Sequence, residues 1–331
     1  MVTLSEKRLN ILKSRFQGLK IAVIGDMMLD CYFRGDVKRI SPEAPVPVVE
    51  VENEFYRFGG AANVVLNIST LGGIPFPVGI IGHDIHGTIF SSLLDKEGIK
   101  IEGIITDGSR PTTAKTRVIA DHQHLVRIDR ESKQYISREI QNKLYAYIEN
   151  NIKFFDGIIL QDYNKGVLTP SLIEKVILLA KKYKVLITVD PKFNNFFSFK
   201  NVDVFKPNRK EAEDILGVKI KNDTDISDVG KILLEQLKAK NVLLTLGEGG
   251  IAVFKSGKKE KRMPTKARKV ADVSGAGDTV ISTLTMAIAA GADIYEACYL
   301  ANYAGGLVCE EIGIVPIALD KLFNTVLKEI K

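Results

Sequence analysis

Residues 157–192 read GIILQDYNKGVLTPSLIEKVILLAKKYKVLITVDPK, and this stretch decides the fold class. Its two ends, residues 157–160 and 185–189, are short apolar runs rich in β-branched residues, which are typical of buried strands. Between them, residues 170–182 have the pattern of a helix. A strand, a helix and a second strand in this order predict a βαβ unit with parallel strands.

The same alternation runs through most of the chain. We therefore predict an α/β fold in which a mostly parallel central sheet is flanked by helices, formed as a single domain by residues 1–331. The other predicted strands are residues 21–24, 76–81, 202–205, 242–246 and 251–254. The other predicted helices are residues 61–71, 85–97, 137–150, 210–216, 227–238, 277–290 and 294–310.

Two segments interrupt this alternation, at about residues 32–58 and 112–128. The first contains three prolines followed by a strand-like run at 46–51, and the second resembles a long β-ribbon. Neither fits a βα unit, so we interpret them together as a small β lid at the edge of the sheet. A plain surface hairpin explains the periodicity equally well.

The composition excludes several classes of protein. The 331 residues are 45% hydrophobic and 26% charged, which indicates a globular protein with a sizeable core. The net charge of +6 is mild and Trp is absent, so nucleic-acid binding is not expected. The three cysteines lack C-x-x-C spacing, which favours reduced thiols. Since no signal peptide or membrane-spanning run is recognised, we expect a cytoplasmic protein without membrane contact.

Polar residues directly follow five of the predicted strands. The carboxyl ends of parallel strands lie along one edge of a sheet, where ligands bind, so these residues should line one site. Each stretch alone could be an ordinary loop, since its residue types are frequent in turns, but together they favour a functional site. The five stretches are residues 25–26, 161–165, 190–192, 206–208 and 247–250.

Residues 273–279 read VSGAGDT and lead into a helix of small residues that ends at Gly291. The glycines permit a tight turn with consecutive exposed N–H groups, which together with the helix dipole form an anion hole. Asp278 could be a plain helix-start residue. The order of residues favours a second interpretation, in which Asp278 accepts a proton from a hydroxyl while the N–H groups stabilise a transferring phosphoryl group.

Other well-known motifs are missing from the sequence. There is no G-x-x-x-x-G-K-[ST] string, which argues against a P-loop enzyme. The string GGAAN at residues 59–63 lacks the G-x-G-x-x-G spacing of dinucleotide-binding proteins. The histidine pairs His83/His86 and His122/His124 have no apparent third ligand, which argues against a metal site.

Two strings resemble the signatures of the ribokinase/PfkB family of carbohydrate kinases, namely GGAAN at 59–63 and GAGD at 275–278. The resemblance covers essentially the whole chain and implies a ribokinase-like sheet with a small β-sheet lid. Further strings resemble kinases of D-glycero-β-D-manno-heptose 7-phosphate, and RISPEAPVPV at 39–48 is the most specific of them. The others are GDMMLD at 25–30, DYNKG at 162–166, DPK at 190–192 and KPN at 206–208.

This resemblance implies that ATP phosphorylates the anomeric O1 of the heptose 7-phosphate to give the 1,7-bisphosphate. The implied ligands are a sugar phosphate, ATP and Mg²⁺, with a monovalent cation such as K⁺ as a further candidate. The implied assembly is a homodimer formed through the lid. Bifunctional relatives carry a nucleotidyltransferase domain with a His-x-Gly-His motif that this sequence lacks, so we expect the kinase step alone.

The resemblance also implies roles for individual residues. Asp278 would be the general base, and Gly275, Ala276 and Gly277 would supply the anion hole. Asn208 and Glu211 would organise Mg²⁺ and its waters. The expected nucleotide-binding residues are Lys206, Asn208, Thr245, Gly247, Gly250 and Asn302. The expected sugar-phosphate-binding residues are Asp30, Gly59, Gly60, Asn63, Arg127, Asp162, Lys165 and Lys192.

Two alternatives stay open at the level of sequence. Another PfkB kinase, for fructose 6-phosphate, tagatose 6-phosphate or ribose, would share these signatures. A non-catalytic sugar- or nucleotide-binding protein belongs to a different class, and the intact GAGD string at 275–278 argues against it, because a silent relative need not retain this string.

Overall fold

The computed structural model describes residues 4–120, 123–266, 271–311 and 313–330. Its strands are β1 (Lys20–Gly25), β2 (Met27–Ile40), β3 (Pro47–Gly60), β4 (Ile74–Gly82), β5 (Ile104–Asp107), β6 (Thr113–Ala120), β7 (Gln123–Arg130), β8 (Gly157–Gln161), β9 (Leu186–Asp190), β10 (Val204–Phe205), β11 (Asn241–Thr245), β12 (Ile251–Lys255) and β13 (Lys261–Met263). Its α-helices are α1 (Glu6–Phe16), α2 (Ala61–Thr70), α3 (Ile85–Lys96), α4 (Arg138–Asn151), α5 (Pro170–Tyr183), α6 (Arg209–Leu216), α7 (Asp223–Leu237), α8 (Ala276–Ala289), α9 (Ile294–Cys309) and α10 (Leu319–Ile330).

The main sheet has the strand order β13-β12-β11-β10-β9-β8-β1-β4-β5. All neighbours from β11 to β5 pair in parallel, whereas β12 and β13 are antiparallel additions at one edge. The βαβ unit predicted from residues 157–192 is confirmed, since β8 and β9 are parallel neighbours connected by α5. The predicted α/β fold is therefore confirmed.

Alternate residues of each central strand enter different cores. In β1, Ile21 and Val23 belong to a core that includes α1, α2, α8, α9 and α10, while Ala22 and Ile24 belong to a second core that includes α4, α5 and α7. This division follows from the period of two in a strand, and both faces are apolar because helices cover both. Helix α8 lies within the first core, and its residues from Asp278 to Ala287 are all buried.

The small sheet has the strand order β3-β2-β6-β7. The pairs β2–β3 and β6–β7 are antiparallel, and β2 and β6 are joined in parallel. A small sheet is thus confirmed, and the alternative of a plain surface hairpin is wrong, because the two interrupting segments pair with each other. Its strands extend beyond the predicted limits, since pairing already begins at Met27 and Gly60.

Four terminal or edge elements were not predicted, namely α1, β5, β13 and α10. Most residues of helix α1 are polar, and only Leu9, Leu12 and Phe16 are buried. The periodic apolar pattern that indicates a helix is therefore weak in this segment. Strands β5 and β13 are only four and three residues long. In the four described segments of the chain, none of the helices has both the length and the hydrophobicity that crossing a bilayer requires.

Candidate active site

A cavity of about 1040 Å³ opens at the carboxyl ends of β9, β10 and β11. Asp190 ends β9, Lys206 directly follows β10, and Thr245 ends β11. All three line the cavity, and the first turn of α8 forms another part of its wall. The parallel strands therefore bring polar residues from distant parts of the sequence to one edge of the sheet.

Asp278 lies in the first turn of α8 and is 4% exposed. Its Oδ2 atom accepts a hydrogen bond from Asn63 Nδ2 at 2.7 Å. Its Oδ1 atom accepts hydrogen bonds from the Tyr163 hydroxyl at 2.7 Å and from Gln161 Nε2 at 3.0 Å. These donors lie on α2, in the loop after β8 and at the end of β8. Together they fix the orientation of a carboxylate that lines the cavity.

Burial raises the pKa of Asp278 to about 6, and the negative charge of Asp190 acts in the same direction. Hydrogen bonds from Asn63 and Tyr163 and the positive charge of Lys206 oppose this increase. The carboxylate is thus ionised at neutral pH but more basic than an ordinary aspartate. A pKa just below the working pH is suited to general-base catalysis.

A second buried charge pair lies next to Asp278. Lys206 is 2% exposed, and its Nζ atom is 3.0 Å from Asp190 Oδ2. Gln161 Nε2 donates to the same oxygen at 3.2 Å, so it contacts both Asp190 and Asp278. Gln161 Oε1 is buried without a hydrogen-bond partner among the described residues. The pair fixes the position of the Lys206 ammonium group in the cavity wall.

Gly275 caps the N-terminus of α8 with φ +79°, a left-handed conformation that favours glycine. A Cβ atom at this position would lie 3.0 Å from Asn63 Nδ2, the donor to Asp278. The amide of Ala276 donates to the Val273 carbonyl at 3.3 Å. The helix N-terminus still faces the cavity, since Gly275, Ala276 and Gly277 all line it.

The residues expected to bind nucleotide all line this cavity. Asn302 Nδ2 donates to the Pro264 carbonyl at 2.7 Å, which fixes this amide at the wall. The six residues are Lys206, Asn208, Thr245, Gly247, Gly250 and Asn302. The structure brings them together, and their roles stay predictions.

Asn208 and Glu211 form a capping box at the start of α6. Asn208 Oδ1 accepts the Glu211 amide at 2.8 Å, and Glu211 Oε2 accepts the Asn208 amide at 2.9 Å. The remaining Glu211 oxygen pairs with Lys192 Nζ. One carboxylate and one amide fit Mg²⁺, which takes few protein ligands besides phosphate and water. Within the described residues, no group of three or more His, Cys, Asp or Glu side chains could hold a metal ion by itself.

Four of the residues expected to bind sugar lie where the small sheet meets α2. Asn63 contacts Asp278 as described, while Asp30 Oδ1 pairs with Arg117 Nη1 at 2.5 Å. Gly59 leaves room for this carboxylate, since a Cβ atom there would lie 2.5 Å from Asp30 Oδ2. Gly60 has φ +56°, and a Cβ atom there would lie 2.6 Å from the Asp26 carbonyl.

The other four sugar-side candidates are dispersed. Lys192 lines the main cavity beside Glu211, whereas Lys165 lines a separate small cavity and pairs with Glu131 at 2.6 Å. Arg127 is exposed and forms two hydrogen bonds with Asp129. Asp162 is buried and accepts hydrogen bonds from the Asn164 amide and Asn195 Nδ2, which stabilise the loop after β8.

Sequence reasoning assigned no role to several residues that contact this site. Gln161, Tyr163 and Asp190 lie in stretches that the strand-end argument identified, but that argument could not rank side chains within a stretch. Asp26 accepts hydrogen bonds from the amides of residues 163, 165 and 167 and fixes this loop. Arg117 lies in a ribbon whose pairing with β2 gave no sequence signal.

Comparison with known proteins identifies the family. The model of the pfkB family carbohydrate kinases matches residues 19–320. This chain belongs to the PfkB family of carbohydrate kinases. It is therefore a sugar kinase, a class of enzyme that uses ATP with a divalent metal ion.

Curated PfkB relatives include the bifunctional protein HldE of Desulfatibacillum aliphaticivorans, which is 42% identical over 304 residues, or 92% of this chain and 62% of the relative. The bifunctional protein HldE of Helicobacter pylori strain J99 is 40% identical over 303 residues, or 92% of this chain and 65% of the relative. The chain thus spans somewhat less than two thirds of the length of these relatives.

Solved structures of other kinases share the fold. Arabidopsis thaliana ribokinase complexed with ribose and ATP has a TM-score of 0.71 and 21% identity, covering 95% of this chain and 99% of the other. Escherichia coli phosphofructokinase-2 in complex with potassium has a TM-score of 0.75 and 19% identity, with the same coverage. At these identities the likeness establishes the ribokinase-like fold alone.

Proposed function

We propose that this PfkB kinase transfers the γ-phosphoryl group of ATP to the anomeric O1 of D-glycero-β-D-manno-heptose 7-phosphate. One observation carries the proposal of a phosphoryl transfer site: the Asp278 carboxylate lies beside the N-terminus of α8 in a large cavity, held by Asn63, Gln161 and Tyr163. The choice of sugar is supported by the heptose-kinase strings in the sequence and by the HldE relatives.

In the proposed reaction, Asp278 accepts the proton of the O1 hydroxyl as O1 attacks the γ-phosphorus. The O1–P bond forms, the bond from the γ-phosphorus to the β,γ-bridging oxygen breaks, and ADP leaves. The first-turn amides of α8 stabilise the charge on the transferring group. Gln161 and Tyr163 hold Oδ1 of the carboxylate and Asn63 holds Oδ2, which keeps its orientation at the cavity fixed.

Lys206 and the residues around Thr245 are suited to hold the nucleotide. The buried Lys206 is a point charge that can approach phosphate, and Gly247 and Gly250 leave space at the cavity wall. Asn208 and Glu211 would hold Mg²⁺ and its waters. When bound, this ion would neutralise part of the negative charge on the phosphates. Dependence on K⁺ stays a prediction from the sequence.

The choice of substrate is tested with purified protein, Mg-ATP and a panel of acceptors. We expect kcat/KM for the heptose 7-phosphate to exceed that for fructose 6-phosphate, tagatose 6-phosphate and ribose by about 10²-fold or more, since unpaired polar contacts penalise the wrong sugar. ADP release gives the rates, and ³¹P–¹H correlation gives the phosphorylated position. Activity on ribose without activity on the heptose phosphate would refute the proposed substrate.

We also propose that the small sheet is a lid over the sugar and that it forms a homodimer contact. Its outer strand β7 is exposed along its whole length, with Val126 and Ile128 51% and 55% exposed. Val51 and Leu125 add further exposed apolar surface on the same sheet, and Val46 adds more in the connection between β2 and β3. Apolar side chains in an edge strand favour association with another sheet.

Sedimentation equilibrium tests the dimer. We expect the wild type to have the mass of a dimer and the Val126→Glu variant to dissociate at least about tenfold more readily, because a charge in an apolar contact is costly. Leu178→Glu is the matched control, since Leu178 is 59% exposed on α5. A monomeric wild type, or equal dissociation of both variants, argues against a contact through the lid.

A further inference from the structure

One face of the small sheet carries a row of charged side chains. Asp30 on β2, Lys115 on β6 and Asp129 on β7 are directly paired in register, so they lie on the same face, and Arg57 on β3 is paired with Asp30. This is the face that Gly59 leaves open next to the Asp30 carboxylate. The row therefore crosses the sheet close to the place where β3 leads into α2.

Both acids in this row are already paired with arginines. Asp30 pairs with Arg117 at 2.5 Å, and Asp129 receives two hydrogen bonds from Arg127 at 2.8 and 3.0 Å. Lys115 lies between them and is half-buried. Its ammonium group forms no ion pair or hydrogen bond with any described residue, which is an unfavourable arrangement for a partly desolvated charge.

A second lysine adds to the positive potential at this point. Burial lowers the pKa of Lys115, and the charge of Lys165 acts in the same direction, so the two ammonium groups are close enough to repel each other. Lys165 pairs with Glu131 at 2.6 Å, and its side chain is 12% exposed. Asp30 and Asp129 attract Lys115 and oppose this decrease, but each of them is already paired with an arginine. Two neighbouring lysines therefore still favour a further anion at this point.

The loop after β8 connects this site to the proposed reaction centre. The Tyr163 hydroxyl donates to Asp278, and Lys165 follows two residues later. The amides of Tyr163 and Lys165 both donate to Asp26 Oδ2, at 2.8 and 3.0 Å. Because Asp26 fixes both residues, the separation between the proposed base and the lysine pair is set by the fold.

We propose that Lys115, supported by Lys165, binds the distal phosphate of the sugar-phosphate acceptor and thereby selects phosphorylated acceptors. The inference rests on the proposed function, since it places the acceptor between Asp278 and the small sheet. A phosphate dianion would supply the missing partner of Lys115 and relieve its repulsion from Lys165. Lys115 is thus a specificity-determining residue that sequence reasoning missed.

The test is a kinetic comparison of Lys115→Met with the wild type. We expect KM for the heptose 7-phosphate to rise about 10- to 100-fold, as befits loss of one charge-assisted contact, while KM for ATP stays within about twofold. Lys115→Arg should recover part of the affinity. The unphosphorylated heptose should react equally with wild type and Lys115→Met, because it lacks the group that Lys115 recognises.

Lys38→Met is the matched control, since Lys38 lies on β2 of the same sheet but pairs with Glu50 and is 61% exposed. Melting temperatures check folding, and that of Lys115→Met should equal or exceed that of the wild type, because an unpaired buried charge is removed. An unchanged KM for the sugar phosphate in Lys115→Met overturns the inference. So does a change confined to inhibition by inorganic phosphate, which would indicate a site for the free ion.

The acceptor panel separates this inference from the proposed substrate. If the wild type prefers another sugar phosphate, the heptose assignment fails, and the same KM comparison is made with the preferred acceptor. If the wild type accepts only unphosphorylated sugars, both the heptose assignment and the role of Lys115 fail. If it prefers the heptose phosphate and Lys115→Met behaves as wild type, only the role of Lys115 fails.

Discussion

Replacing Asp278 by Asn is expected to lower kcat by about 10²- to 10⁴-fold while leaving the affinity for ATP within about threefold. The amide has the shape of the carboxylate but cannot accept the acceptor proton. Asn63, Gln161 and Tyr163 all donate hydrogen bonds to the carboxylate of the wild type. The NH₂ group of the variant would face at least one of these donors and could not accept its hydrogen bond. Rates come from ADP release, and nucleotide affinity comes from calorimetry.

The control for this variant is Asp156→Asn. Asp156 also accepts a hydrogen bond, from the Lys20 amide, but it directly precedes β8 and so lies at the amino ends of the strands, away from the cavity. The pH profile gives an independent readout. Since the pKa of Asp278 is raised to about 6, kcat/KM of the wild type should fall about tenfold per pH unit below that value, as the base becomes protonated. Full turnover in Asp278→Asn rejects the assignment. So does a variant whose kcat/KM falls at low pH in the same way as that of the wild type.

Replacing Gly275 by Ala is expected to lower kcat by about 10²-fold or more, as for loss of an oxyanion-hole donor. The left-handed φ of +79° is unfavourable for alanine by about 1–2 kcal/mol. The new Cβ atom would also lie 3.0 Å from Asn63 Nδ2 and 3.3 Å from Ile314 Cγ2. Relief of these contacts displaces the first turn of α8 from the cavity or pulls Asn63 away from Asp278.

Gly98→Ala separates backbone strain from the effect on the site. Gly98 has φ +66°, and a Cβ atom there has no neighbour within 4 Å, so this variant carries the conformational cost alone. Both variants should unfold at lower temperature than the wild type, but only Gly275→Ala should lose turnover. Equal turnover in the two variants would show that the geometry of this turn is not critical for phosphoryl transfer.

The main sheet was predictable because its signal is local. Each strand in the 157–192 unit is an apolar run with its own boundaries, and parallel pairing follows from the intervening helix. The same reasoning brought Lys206, Asn208 and Gly247 to one edge, since residues after parallel strands share an edge by topology.

The contacts across the small sheet could not be predicted in this way. Asp30 and Arg117 are 87 positions apart, and their contact depends on the register between β2 and β6, which no turn of the chain fixes. The partners of Asp278 likewise come from residues 63, 161 and 163, and only the packing of α2 and α8 against β8 defines that set. Arg127 was selected for its charge and its position in the predicted lid, and neither specifies which partner a side chain contacts.

Strands β2 and β3 of the small sheet join the rest of the molecule through a very narrow junction. Strand β1 ends at Gly25 and β2 begins at Met27, while β3 ends at Gly60 and the Ala61 amide donates to the Asp26 carbonyl at 3.0 Å. Residue 26 is therefore a natural pivot for these two strands. At about 3.3 Å per residue, Asp30 lies roughly 13 Å from it and Ile40 roughly 46 Å, so a given rotation displaces the tip three to four times as far. Such a rotation would move the far end of the sheet over a long distance to admit a sugar. The groups near the base would meanwhile keep almost the same position relative to Asp278.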